Sequence, residues 1–509
     1  MILLAACARG EPQDNILEIP VPPVVIEEIP DQDSYPAEDN NIIVESDNTL
    51  LDIPPVNEYL IFLDFEPEER LIRGHESVRY TNRTGVPLDE LVFRVPLNAW
   101  SANEAMVPYP VEFHNLIFRN GHSYGSMEIL HVSQDSEELA FILSGTVLNI
   151  SLPRTLAPYE TIQIHIQFEA YIPMIAHRIG ANEHAVWAGT FLPTEAVFGI
   201  DGWHTEPYYP MGRPFMMEAA NYIVEISTPR GYIVAGTGTK SEVYFDDRKV
   251  TTFIAHMTRD FAFAISPYFQ RVSQQIPSGA VEVILYHYTP ELPIERILNI
   301  ALETMTFFEE TVGPYPYPQL SIVETDMFRS GEKFSAMIFM DSVHLRTSQT
   351  LSSLRHEIGN QWFSVVVGTN PIEESWLSGG LTHFLHGGLL GQPRELRAAI
   401  ERDHMYLTER IGQIRNIDSR RIASRIDLYE TWHDYFRIQH RKAQLMFYSL
   451  YREMGEENFR ELLREYYMQF AFRIASSSDF ITLAEEIHGR SLQRFFSYWL
   501  NSVELPDLP

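Results

Sequence analysis

Arg355-His356-Glu357-Ile358-Gly359-Asn360-Gln361-Trp362-Phe363 is the stretch on which the reading of this chain turns. A zinc-protease helix places two histidines at i and i+4, so that both imidazoles face one metal. The glutamate between them acts as general base on the bound water. His356 and Glu357 fill the first two of these positions, while Asn360 stands where the second histidine would be. A His-Glu pair on a helix means little by itself, so its surroundings decide the matter.

Around this stretch the hydrophobic period is helical. Ile294 to Val312 reads as one amphipathic helix, with Ile294, Ile297, Leu298, Ala301, Leu302 and Met305 on one face. Leu320 to Thr325 reads as a strand, and helices dominate beyond Ser352, including Glu457 to Phe470 and Leu492 to Trp499. Residues 273–509 therefore form an α+β or largely helical domain. Upstream the period changes to two. Tyr59 to Phe65, Leu91 to Val95, Ile162 to Phe168 and Tyr222 to Ile226 alternate as strands, with Gly and Pro between them. Residues 53–272 read as a mostly antiparallel β domain. Trp203 to Pro210 is aromatic-rich and reads as loop packing. Gly236-Thr237-Gly238-Thr239-Lys240 lies in the β region without the spacing of a phosphate loop, and Ser330-Gly331 reads as a turn.

The composition bounds the function. The chain has 509 residues, a formal charge of −31 and one cysteine. That length fits two to four domains at roughly 100–200 residues each. Hydrophobic residues make up 45%, enough for packed cores. A single cysteine excludes a disulfide framework and any cysteine-rich metal module. With 69 acidic against 38 basic residues, the chain is not expected to bind nucleic acid. No apolar run is long enough for a transmembrane helix.

That one cysteine is Cys7. Leu4-Ala5-Ala6-Cys7 resembles the bacterial lipobox, in which the cysteine is lipidated, although the basic n-region of a signal peptide is missing. Residues 1–7 then read as a signal remnant and 8–52 as an acidic, proline-rich tether. The expectation is an extracytoplasmic protein anchored to the bacterial membrane through lipid alone.

Beyond its helix, the chain resembles the M1 family of zinc aminopeptidases, in particular the bacterial lipoprotein branch, over about residues 55 to 505. That branch carries His-Glu-x-x-His-Gln-Trp-Phe, and Gln361-Trp362-Phe363 stands in place here. The family's third ligand, a Glu eighteen residues after the second His, falls on Gly379 within Ser375-Trp376-Leu377-Ser378-Gly379-Gly380-Leu381. The segment that grips the substrate N-terminus aligns with Ser335-Ala336-Met337-Ile338-Phe339-Met340. The family's Tyr-x-Lys-Gly-Ala segment aligns with His440-Arg441-Lys442-Ala443-Gln444, and Asp260 to Ala264 matches a strand near the end of its β domain. The resemblance implies an α+β chain of two domains: a β-saddle domain followed by a thermolysin-like, mainly helical domain. The helical C-terminal domain of larger relatives is not expected.

The resemblance also assigns roles. Glu357 takes the general-base position and His440 the place of the oxyanion-binding Tyr. Ala336, Met337 and Ile338 form a degenerate N-terminus-binding motif, with Ile338 where a Glu would pair with the substrate ammonium. His356 is the one retained zinc ligand. Asn360 is a poor replacement for imidazole and Gly379 has no side chain, so zinc, the family cofactor, is expected to be lost. The first reading is a catalytically inactive pseudopeptidase that binds a peptide or protein outside the cell. A second rebuilds a metal site from His383, one turn after Gly379, and His386, together with His356. Taken alone, those two histidines read as packing or solvent-facing residues. A third reading makes the chain a structural subunit of a membrane complex.

Overall fold

Alternating apolar side chains build the first half of the molecule. The computed structural model describes residues 51–508 apart from 52–53, 104–106, 136, 214, 348–350 and 391–392. Cys7 and the tether up to residue 50 lie outside the described residues. Strands β1 (Asn57–Glu66), β2 (Leu71–Thr81), β3 (Ser126–Gln134), β4 (Thr161–Tyr171), β5 (Ala220–Pro229), β6 (Thr239–Tyr244) and β7 (Arg248–Thr258) form one large sheet in the order β6-β7-β5-β1-β2-β4-β3, extended by a two-residue strand, Glu137–Glu138. All neighbours run antiparallel except β1 and β5. In β1 the alternate residues Tyr59, Ile61, Leu63 and Phe65 are buried; in β4 they are Ile162, Ile164, Ile166 and Phe168. A one-residue slip would turn each set to solvent, so the pattern fixes the register. These rows share one apolar core with Leu91, Phe93, Leu148 and Ile150 of a four-stranded sheet. A third sheet, of strands Ile179–Ala181, Val186–Ala188, Ile233–Gly236 and Phe263–Ser266, packs Trp187 and Ala264 against Phe334, Met337 and Phe339 further along the chain.

Those last residues belong to a five-stranded sheet of β8 (Gln270–Gln275), β9 (Glu282–His287), β10 (Gln319–Thr325), β11 (Gly331–Phe334) and β12 (Met337–Asp341), ordered β8-β9-β10-β12-β11. The change of period read near residue 272 falls inside β8. Strands β9 and β10 run parallel, which requires a crossover, and helix α1 (Ile294–Thr311) supplies it. Ile297, Leu298, Ala301, Leu302 and Met305 of α1 are buried, as the apolar stripe foretold; Ile294 at its first turn is only half-buried. Beyond this sheet come α2 (Leu351–Gly359) and α3 (Ser375–Phe384), then helices Pro393–Arg410, Ala443–Met454, Glu456–Phe470, Ser477–His488 and Gln493–Asn501. Among the described residues no helix is long and apolar enough to cross a membrane.

Candidate active-site cleft and histidine cluster

The Gln361-Trp362-Phe363 run anchors the end of α2. Gln361 accepts hydrogen bonds at Oε1 from the Ala336 amide and the Tyr315 hydroxyl, both at 3.1 Å, and donates to the Phe334 carbonyl at 3.0 Å. Trp362 is fully buried, stacks on Phe308 of α1 and donates to the Gly313 carbonyl at 2.9 Å. Three buried partners on one glutamine fix the position of α2 against the β11–β12 hairpin. Immediately beyond, the helix widens and breaks, with Phe363 and Ser364 off helical geometry. Gly359 allows a close crossing, since a Cβ there would lie 2.6 Å from Phe308 and 2.8 Å from Thr382.

Helix α3 is brought in by its glycine pair. A Cβ on Gly380 would lie 2.4 Å from that of Ala443, so only glycine lets α3 lie this close to the segment ahead of Ala443–Met454. That segment, Phe436–Lys442, is a stretch of wide π-type turns and carries His440. A Cβ on Gly379 would meet the His440 ring at 3.1 to 3.4 Å. The imidazole therefore fills the room that a longer side chain at 379 would need.

These elements enclose a cleft lined by Arg213, Arg329, Lys333, His356, Glu357, Asn360, Gly379, Tyr435 and His440, among others. Of the three positions at which the resemblance implies zinc ligands, His356, Asn360 and Gly379, only His356 offers a good donor. Asn360 spends its amide nitrogen on Glu357 at 3.1 Å, and Gly379 offers no ligand atom. This set does not fit zinc, which takes three protein ligands and a water in such sites.

Positive charge dominates the cleft instead. Glu332 alone is shared by Arg178 at 3.1 Å, by Lys333 at 3.5 Å and by Arg329. Arg213 pairs with Asp260 at 2.7 Å. Burial raises the Glu357 carboxyl above its usual range, with Lys333 pulling the other way, and burial lowers the Lys333 ammonium. Register adds a detail: Lys333 of β11 lies directly opposite Ile338 of β12, so both side chains rise from one face of the hairpin. A cation thus neighbours the position where the resemblance implies an ammonium-binding carboxylate.

Behind His356 the structure assembles more imidazoles. Ligand nitrogens of His356, His383 and His386 all lie within 4.8 Å of one another. Nδ1 of His383 and Nε2 of His386 are 3.4 Å apart. Ring centroids are separated by 5.0 Å for His356–His386 and 5.2 Å for His383–His386, and His440 stands 5.5 Å from His356. Burial pushes His356 and His383 well below the usual histidine range and takes His386 and His440 down to about 3. All four rings are neutral at pH 7. His440 can then donate only through the N–H of a neutral ring.

Of the residues singled out from sequence, His356, Glu357, Asn360, Gly379 and His440 line the cleft together. Met337 and Ile338 are fully buried within the sheet, and Ala336, at φ 54°, makes the β11–β12 turn. None of these three is among the cleft-lining residues. Sequence reasoning overlooked Arg213, Arg329, Lys333 and Tyr435. Lys333 carried a usable signal, because it lies two residues ahead of the quoted Ser335-Ala336-Met337 motif on the opposite arm of a hairpin. Arg213 carried none, being about 140 residues away in the β-rich half.

The structure thus sets the His356-Glu357 pair of a helical body at a cleft, next to a sheet whose parallel strands are crossed by a helix. Residues 296–499 match the peptidase family M1 domain. Aminopeptidase 2, mitochondrial, of Saccharomyces cerevisiae is 21% identical over 314 residues, covering 57% of this chain and 32% of that protein. Probable aminopeptidase 2 of Sulfurisphaera tokodaii is 20% identical over 478 residues, covering 89% of this chain and 54% of that one. The chain thus spans about half the length of the latter and about a third of the former. The M1 zinc metallopeptidase of Deinococcus radiodurans has the same fold, with a TM-score of 0.65 at 16% identity over 92% of this chain and 99% of that one. The two-domain architecture expected from sequence is the observed one.

Proposed function

We infer that this protein is a peptide-binding member of the M1 peptidase scaffold that does not run the family's zinc-dependent hydrolysis at the inherited position. The observation that carries this is the placement of Lys333 and Arg329 in the cleft beside Asn360 and Gly379, with Glu357 the one carboxylate among the lining residues. A free amino terminus would meet Lys333 and Arg329 there, a pair of cations that repels an ammonium. The same surface attracts a carboxylate, and charge-assisted hydrogen bonds of that kind contribute about 1.5–3 kcal/mol each. The ligand is therefore a peptide gripped through an anionic group, either its C-terminus or an acidic side chain. Cys7 and the acidic, proline-rich residues after it support a setting outside the cell on a lipid anchor.

Calorimetric titration with short acidic peptides tests this. Binding should survive N-terminal acetylation and weaken when carboxylates are amidated. Lys333→Gln should weaken it about tenfold, equivalent to ~1.4 kcal/mol. Aminopeptidase substrates should turn over no faster with the native chain than with Glu357→Gln, with or without added zinc. Peptide hydrolysis that depends on Glu357 and a free N-terminus would sink the reading.

A further inference from the structure

We propose that His356, His383 and His386 form a three-imidazole site for a divalent transition-metal ion, bridging α2 and α3 one helical turn beyond the inherited ligand position. The site goes beyond the peptide-binding reading and does not depend on it. His383 lies four residues after Gly379, a displacement of about 6 Å along the axis of α3. His383 and His386, three residues apart, share one helix face. His386 sits where α3 passes into a π-type turn, marked by the bond from the Leu390 amide to the Leu385 carbonyl at 3.0 Å. Such turns concentrate at functional sites.

The spacing matches a metal better than a hydrogen bond. Two nitrogens on one tetrahedral centre at ~2.0–2.1 Å from it stand about 3.4 Å apart. The His383–His386 pair is at 3.4 Å, long for a nitrogen–nitrogen hydrogen bond. Nδ1 of His356 is buried and has no hydrogen-bond partner among the described residues. An unsatisfied buried imidazole nitrogen calls for an explanation, and a ligand supplies one. Each histidine is only half-buried, so an ion and a further solvent ligand have access.

The nearest cations do not veto a dication. Arg441 pairs with Asp403 at 2.9 Å, Arg402 approaches the same carboxylate at 3.9 Å, Arg355 pairs with Glu303 at 3.6 Å, and Lys333 pairs with Glu332 at 3.5 Å. Imidazole-only donors select zinc, copper(II), nickel(II) and cobalt(II) over magnesium or calcium.

The test uses the full chain, stripped with chelator, incubated with zinc or cobalt(II) and exchanged into metal-free buffer. Elemental analysis should find close to one zinc per chain. Cobalt should give the visible absorption of a low-symmetry, four- or five-coordinate site. His383→Gln and His386→Gln should each lower retained zinc at least fivefold and remove the zinc-induced rise in melting temperature, while their circular dichroism stays native. Asn360→Ala should retain the metal, which separates this site from the inherited one. Less than a tenth of an equivalent on the native chain, or equal retention by the His383→Gln/His386→Gln double variant, would overturn the proposal. Peptide titrations on the metal-free chain test the binding reading separately, so failure of one leaves the other standing.

Discussion

Single residues decide whether the cleft can exist at all. Gly380 makes a close contact beside it, with the Ala443 methyl 2.4 Å from where its own Cβ would be. Gly380→Ala should separate α3 from the following helix and destabilise the protein by about 1–3 kcal/mol, the usual cost of overpacking. A urea titration reads this directly as a lowered midpoint at unchanged slope. Trp362 is the complementary case, since Trp362→Ala leaves a cavity under Phe308 and an unpaired Gly313 carbonyl, and should cost about 3–5 kcal/mol. At this scale the sequence was legible where a position carries its own chemistry: Asn360, Gly379 and Ile338 read directly as an amide, a bare backbone and an alkyl group. Their surroundings were not legible, because the filling of space beside Gly379 by His440 is a contact between segments some sixty residues apart.

At the scale of elements, alternation and helical stripes placed β1, β4, β5, α1 and β10 to within a few residues of their observed ends. Both signals are local, which is why they can be read without a structure. The gathering of His356, His383 and His386 is set by the angle between α2 and α3. Spacing could show that the last two share a face but not which helix that face meets. A short strand makes a further prediction. Glu195 of Thr194–Glu195 accepts from Asn57 Nδ2 at 2.7 Å and from Tyr59 Oη at 3.2 Å, yet burial pushes its carboxyl up to about 7. Glu76 on β2 is buried too and is raised for the same cause. A carboxyl with a folded value near 7 and a reference value of 4.5 binds its proton more tightly in the folded state. Its contribution to stability is present below the reference value and is lost as the pH rises through about 7. Glu195→Gln should therefore stabilise the protein at pH 8, by about 2–3 kcal/mol, and flatten the stability profile between roughly pH 5 and 8. Urea midpoints across that range, steeper in the native chain than in the variant, are the expected result.

Across the whole molecule, Arg259 joins the β-rich half to the helical half. It is buried and donates to the carbonyls of Met217 at 2.8 Å, Val365 at 2.6 Å, Val366 at 3.0 Å and Arg473 at 2.7 Å. Arg259→Met would strand four acceptors in a dry interface at a cost of about 3–5 kcal/mol. Scanning calorimetry should then show the native transition broaden or split as the halves uncouple. A single sharp transition at the native temperature would remove Arg259 from this role. Nothing local in Asp260-Phe261-Ala262-Phe263-Ala264 or its flanks marked the residue ahead of it as a junction, for its partners lie up to 214 residues away.

That distance has a consequence for the order in which the molecule is made. The guanidinium emerges from the ribosome long before Val365, Val366 and Arg473 have been synthesised. Until they arrive it stays hydrated, and the surface around it cannot close. Translation through Arg473 is thus the step that licenses the last docking, and a nascent chain stalled before that point should be held open to chaperones at this one face.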